Sequence, residues 1–343
     1  MPQAYDGQHK ETLSNGNGST KWIAAVSPGG LGDTILFSPV LKALRTCYPR
    51  AFIELVAANA LVPEMYSTTH IINAVTVANT NRPWWHPAKT SALAPLLMRA
   101  RRDNRDKMAV FATGLSRWWP RLFHRVGSVP HCLRAPLPEK DDTNLSCNLE
   151  LARRFDKNVA QSDVFVDIPA DAHQEARDAL LRQGINIDTD KLMAVYPSRE
   201  TPKHPRWPLA NQAAVLHRLR RDIPDVRIVI VGGLNEGKDW DRADTGRTMD
   251  ANLAGNISIG ATAAILARCR LALCNEGGPM HLAGAVGCPL VATIPGAPPA
   301  YQPPGRQSLV FRTCTHGDFS IQQITDACLR LLCQNPLPES PKD

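Results

Sequence analysis

Leu271–Pro289 reads LALCNEGGPMHLAGAVGCP, and the order of residue types in it decides the fold class. The apolar run Leu271–Cys274 has the length and character of a buried strand. Asn275, Glu276, Gly277 and Gly278 supply a tight turn. Pro279 then opens a helix that runs to about Val286, because a missing N–H costs nothing in a first helical turn. The helix start points unpaired N–H groups and a positive dipole end over the end of the strand, a natural seat for phosphate. Two glycines admit a ligand close to the backbone, and His281 falls in the first turn.

Similar elements are expected on either side of this segment, without an internal sequence repeat. Trp22–Val26 leads through Pro28-Gly29-Gly30-Leu31-Gly32-Asp33 into a helix from about Asp33 to Cys47. Ala51–Val56 and Met108–Ala112 are further buried strands. Asp167-Ile168-Pro169 reads as a linker, and Asp171–Gln183 as an amphipathic helix. A second series follows, with strands at Leu192–Tyr196, Val226–Val231, Cys288–Ile294 and Leu309–Arg312. Its helices are Ala210–Arg221, Thr262–Cys269 and Ile321–Cys333. The expected architecture is α/β, two Rossmann-like doubly wound halves over 21–168 and 169–334, with ligands between them at the carboxyl ends of the strands. Residues 1–20, polar and rich in Gly, Asn, Ser and Thr, read as a disordered leader, and 335–343 as a flexible tail.

Composition removes several classes. The 343 residues contain no apolar stretch of the roughly 18 residues a membrane span needs, and no secretory signal core. The cysteines are odd in number, scattered, and mostly set in apolar runs, as in a reduced, cytoplasmic protein rather than a disulfide framework. The C-x4-C spacings at Cys269/Cys274 and Cys328/Cys333 lack the paired short spacing of a zinc site, so no metal is expected. The net charge of +7 is uneven. Arg82 to Arg134 holds eleven basic residues against Asp103 and Asp106, which leaves the remainder slightly acidic. An acidic partner is implied. With Trp84-Trp85 and Trp118-Trp119 interleaved, nucleic acid, a membrane interface and an acidic sugar lipid are all compatible. A plain solvated helix face over Arg99–Lys107 accounts for that part equally well.

Three further segments carry candidate chemistry. Asp33 is either a helix cap, worth about 1 kcal/mol, or a functional carboxylate. A dinucleotide fingerprint is disfavoured, because the glycines do not fit G-x-G-x-x-G and the nearest acid, Glu54, lies in mid-strand. Lys203-His204-Pro205-Arg206-Trp207-Pro208 sets cations beyond a strand end, where an anionic ligand would sit; a solvated basic loop is the alternative. In Gly232-Gly233-Leu234-Asn235-Glu236, the acid suits either a ribose diol or a helix cap.

Taken together, these segments resemble glycosyltransferase family 9, the ADP-heptose:lipopolysaccharide heptosyltransferases, over most of residues 22–333. GLGDTILFSPVLKALRTCYPRAFIELV resembles the family's N-terminal signature and CNEGGPMHLAGAVGCPLVATIPG its C-terminal one, with PRWP, GGLNE and NLAGNISI between them in the family's order. The resemblance implies a GT-B fold and inverting, metal-free transfer with no cofactor beyond the nucleotide-sugar donor, ADP-heptose. It implies Asp33 as general base, and Gly277, Gly278 and the helix start as the diphosphate seat, with His281 beside it stabilising charge. It further implies Glu236 on the ribose, Ile257 on the base, and Arg117 and Arg121 on an acidic glycolipid acceptor at the inner face of the inner membrane, with no nucleic-acid partner. Two positions depart from the family pattern. Pro205 replaces a lysine, so Lys203 or Arg206 must supply the phosphate charge, and Glu276 replaces an aspartate. A different nucleotide sugar, a non-lipopolysaccharide acceptor, or a catalytically silent nucleotide-sugar or glycolipid binder are the alternatives these departures leave open.

Overall fold

The computed structural model describes residues 21–27, 29–66, 68–78, 87–115, 118–139, 142–198, 206–244, 248–295, 301–305, 307–313 and 319–334. The expected leader and tail lie outside them. One sheet contains β1 (Lys21–Ser27), β2 (Phe52–Ala57), β3 (Ala74–Val77), β4 (Asp106–Phe111) and β5 (His131–Arg134) in the order β3-β2-β1-β4-β5. The other contains β6 (Lys191–Tyr196), β7 (Val226–Ile230), β8 (Ala251–Asn252), β9 (Leu271–Asn275), β10 (Leu290–Pro295) and β11 (Ser308–Thr313) in the order β11-β10-β9-β6-β7-β8. All these pairings are parallel. Strand order reverses between β1 and β4 and again between β6 and β9, and ligands of open α/β sheets bind at such switch points.

The helices interleaved with the first sheet are α1 (Leu31–Cys47), α2 (Val62–Tyr66), α3 (Pro87–Arg102), α4 (Trp118–Gly127) and α5 (Asn144–Ala152). After α6 (Ala170–Leu181) come α7 (Leu209–Asp222), α8 (Leu234–Ala243), α9 (Ile259–Arg268), α10 (Gly278–Ala285) and α11 (Ile321–Gln334). Strand alternation divides the core. Ile23 and Ala25 face the α1 side, while Trp22, Ala24 and Val26 pack with Leu93, Leu97 and Phe123 of α3 and α4. In the second sheet, Met193 and Val195 pack with Trp207 and Trp240, and Leu192 and Ala194 point the opposite way. That opposite face shares one apolar core with the first sheet: Leu31, Met65 and Tyr66 join Ile259 and Met280 in it.

The expected boundaries need small corrections. α3 stops at Arg102, so the anticipated helix face over Arg99–Lys107 is cut short and Lys107 lies in β4. Gly278 is the first residue of α10 and Pro279 the second. α2, β3, α4, β5, α5, α8 and β8 are additions, short elements that the sequence alone does not separate from the connecting segments.

α1 continues through Pro39, which has no N–H to offer the Ile35 carbonyl. The Ser38 hydroxyl donates to that carbonyl instead, at 2.7 Å, and accepts the Phe165 N–H at 3.0 Å. α5 is fixed to α1 by the buried Asn148, which donates to the Leu36 carbonyl at 3.2 Å and accepts the Thr113 N–H at 3.1 Å. Asn148→Ala removes both bonds and is expected to lower stability by about 1–3 kcal/mol. The measurement is the urea midpoint at constant m-value; an unmoved midpoint would show that α5 is held by apolar packing alone.

Candidate active site

Asp33 is the third residue of α1, behind the cap residue Gly30. Its Oδ2 accepts the Gly30 N–H at 2.7 Å, so it does close the helix start. Its Oδ1 accepts from Nδ2 of Asn144, at the start of α5, at 3.3 Å. Burial pushes the Asp33 carboxyl above its ordinary value. The Gly30 and Asn144 hydrogen bonds pull the other way, and the carboxylate of Glu276, from the other sheet, adds to the rise. A carboxylate that holds its proton more tightly than usual, yet is oriented by two donors, has the character of a general base.

Glu276 reaches Asp33 electrostatically because the N-termini of α1 and α10 meet. A Cβ on Gly32 would lie 2.4 Å from Cδ2 of His281, and one on Gly278 would lie 3.0 Å from Leu31 Cδ2. His281 is 3% exposed, and its Nδ1 has no hydrogen-bond partner among the described residues. Burial pushes its pKa down to about 4, so the ring is neutral at pH 7. As a neutral imidazole, His281 would act on a neighbouring charge through its polar ring edge rather than as a cation.

The second switch point is floored by Tyr196, at the end of β6. Gly232 and Gly277 both have positive φ, +136° and +154°; a Cβ on Gly277 would collide with the Tyr196 ring at 2.7 Å, and one on Gly232 would press on it at 3.2 Å. One ring thus supports both glycine turns. Burial, chiefly, pushes the Tyr196 phenol up to about 12, and it remains a neutral donor. Ser198 beyond it occupies the left-handed region at φ +55°, uncommon for a residue other than glycine and frequent where function holds a strained backbone. Its hydroxyl donates to the Glu276 carbonyl at 3.1 Å and accepts from Nε of Arg206 at 2.7 Å. Nη1 of Arg206 is 2.8 Å from Oε2 of Glu276, with both side chains largely buried. Asn275, fully buried, donates to the Pro197 carbonyl at 2.6 Å and the Trp207 carbonyl at 3.1 Å, while Thr293 donates to its Oδ1 at 2.5 Å. It ties the β6 loop to the segment carrying Arg206.

Of the residues expected from sequence, Asp33, Glu276, Gly277, Gly278 and His281 come together at the meeting of α1 and α10, and Arg206 joins them through Glu276. Glu236, third in α8, lies beside Gly233, whose Cβ would be 2.7 Å from Oε2 of Glu236. Ile257 is half-buried against the core that joins the two sheets. Arg121 is exposed on α4. Trp119 is buried, which removes it from any aromatic surface. Arg117, Lys203, Pro205, Trp84 and Trp85 lie outside the described residues. Asn144, Tyr196, Ser198 and Tyr301 were not anticipated. Tyr196 ends an apolar run and reads as core, and Asn144 sits in a segment without a periodic signal. The phenol of Tyr301 is raised by burial and by the nearby charges of Asp33 and Glu276, which places it at the same site. Among the described residues, no three His, Cys, Asp or Glu side chains converge as metal ligands would.

Comparison with known proteins gives a consistent set. The pattern of glycosyltransferase family 9 (heptosyltransferase) matches residues 127–316, just over half of the chain. Lipopolysaccharide heptosyltransferase 2 of Salmonella typhimurium is 22% identical over 302 residues, which cover 82% of this chain and 85% of that protein. The crystal structure of a family 9 glycosyltransferase from Veillonella parvula superposes with a TM-score of 0.79 at 19% identity, covering 94% of this chain and 100% of that one. The structure of the E. coli ADP-heptose lipopolysaccharide heptosyltransferase II gives 0.69 at 17% identity, covering 91% and 98%. These structural likenesses agree with the GT-B architecture.

The neutral His281 makes a testable demand on stability. Its folded pKa of about 4 lies below the ordinary 6.5, so the unfolded chain binds more protons between those values. The contribution is complete above about pH 6.5 and is lost on acidification towards pH 4, by up to roughly 3 kcal/mol. Urea midpoints at pH 7 and pH 5 should fall further for the wild type than for His281→Gln. Equal falls would mean that the imidazole titrates normally.

Proposed function

The chain belongs to glycosyltransferase family 9, and from that premise we propose that it transfers heptose from ADP-L-glycero-D-manno-heptose to an inner-core sugar of lipopolysaccharide, with inversion and without a metal. The observation that carries this reading is the pairing across the cleft of Asp33, a half-buried carboxylate with raised pKa, with the N-terminus of α10. In the proposed step Asp33 takes the proton of the acceptor hydroxyl as its oxygen attacks the anomeric carbon. The bond from that carbon to the diphosphate breaks, and ADP leaves with the bonding pair. Negative charge develops on the departing phosphate, where the first N–H groups of α10 and the guanidinium of Arg206 stabilise it. Glu236 takes the ribose hydroxyls, Ile257 packs on the base, and residues 169–334 hold the donor while 21–168 hold the acceptor. Arg117 and Arg121 are assigned to the acceptor, and Lys203 to the donor phosphates beside Arg206. Activity at the inner face of the inner membrane follows from that acceptor; no described helix is long and apolar enough to cross a membrane.

Asn144 is the positioning residue for the base. Its amide favours the ionised form of Asp33, so Asn144→Ala should move the acid limb of the kcat/KM profile to higher pH. Asp33→Asn should lower kcat by about 10²–10⁴-fold with donor affinity nearly unchanged. An acid limb that stays in place in Asn144→Ala would remove the amide from the mechanism, and full turnover by Asp33→Asn would remove the base.

Donor identity is tested by nucleoside diphosphate release from ADP-heptose, UDP-sugars and GDP-sugars in excess chelator. ADP-heptose is expected to give the highest kcat/KM, undiminished by the chelator. A preference for another sugar nucleotide would reassign the donor and point to the longer Glu276 as a cause. Loss of turnover in chelator would overturn the metal-free step.

A further inference from the structure

The first sheet has a second face, away from the α1 core, and α3 and α4 cover it. Inside, Leu93, Leu96, Leu97, Ala100, Trp119 and Phe123 are buried. Outside, Arg101, Arg102, Arg121 and Arg125 are exposed. None has a carboxylate partner among the described residues. The acids of this region are already neutralised: Asp103 pairs with Arg105 at 2.5 Å, Asp106 with Lys21 at 2.7 Å, and Glu54 with Arg99 at 2.5 Å. The outer surface therefore carries uncompensated positive charge.

The charge is interleaved with apolar side chains. Met98 is 52% exposed and Val126 is 44% exposed. Ala94, Pro95 and Met98 line a shallow depression together with the stems of Arg99 and Arg102. The two helices form one patch: a Cβ on Gly127 would lie 3.2 Å from Leu97 and 3.7 Å from Ala100, so the end of α4 sits on the stretch of α3 that bears Met98 and Arg101. Nucleic acid would be gripped by basic residues with polar or stacking partners, and the exposed apolar residues here would gain nothing from phosphate alone. A bilayer uses both kinds. Arginine heads reach anionic headgroups while their stems and the apolar side chains enter the interface.

We propose that the outer face of α3 and α4 docks on an anionic lipid bilayer, with Arg101, Arg102 and Arg125 meeting the headgroups and Met98 and Val126 entering the interface. The face stands on the opposite side of the sheet from α1, so docking leaves the cleft open. The docking claim itself rests on the patch and not on the identity of the sugar transferred.

Flotation with phosphatidylcholine vesicles, with and without phosphatidylglycerol, tests it without any transfer assay. The full-length protein should bind only vesicles containing phosphatidylglycerol and should be released as salt rises. Each arginine at such a surface is worth about fivefold in affinity, so the triple variant Arg101→Gln, Arg102→Gln, Arg125→Gln should bind roughly a hundredfold more weakly. Met98→Asp should also weaken binding, which charge attraction alone would not require. Both variants should keep wild-type nucleotide affinity, showing that they fold. No binding by the wild type, binding unchanged in the triple variant, wild-type vesicle affinity in Met98→Asp, or tighter binding of an RNA or DNA oligonucleotide than of the vesicles would each overturn the proposal.

Discussion

Two helix N-termini in contact are electrostatically awkward, because each carries a positive dipole end. Here α1 and α10 meet in that way, and two carboxylates, Asp33 behind Gly30 and Glu276 before Gly277, supply the opposing charge. The contact also depends on missing side chains: a single methyl on Gly32 would occupy the space of the His281 ring. Once the helices meet, the switch points of both sheets face one another. The candidate base and the candidate phosphate seat are then set by the backbone rather than by long flexible side chains.

The support behind Asp33 runs through α1 into the rest of the first sheet. Ser38 compensates for the amide that Pro39 lacks and also captures Phe165, which brings the segment preceding α6 against α1. Asn148 fixes α5 alongside, and α5 presents Asn144 to the carboxylate. These polar groups are buried or half-buried, so each is costly to leave unpaired. The same sheet exposes its arginine-rich layer on the far side, which separates chemistry and docking by the thickness of one α/β layer.

Much of this was legible in the sequence, for identifiable reasons. Strands such as Leu271–Asn275 are buried on both faces and read as continuous apolar runs, and glycine turns mark where they end. That fixes the α/β class, the two series of strands, and the placement of Asp33, Glu276 and Gly277. Tyr196 was invisible as a site residue because its ring is apolar on one side and its function is to support backbone. Asn144 was invisible because its partner is more than a hundred positions away. His281 was located correctly, but its charge state depends on how completely α1 covers it, and local sequence carries no record of that. Trp119 went the other way: beside arginines it resembles a surface residue, and only the packing of α4 on β4 shows it to be core.

The Tyr196 ring has one more consequence. Because it underlies both the Gly232 turn, next to Glu236, and the Gly277 turn, next to Glu276, the two candidate donor contacts rest on one shared plate. A small tilt of the plate would move both turns together, so perturbations at the two ends would not be independent. Double-mutant cycles between the Glu236 end and the Glu276 end should therefore show thermodynamic coupling although the two residues need not touch. Recognition of the two ends of the nucleotide would then behave as a single cooperative event.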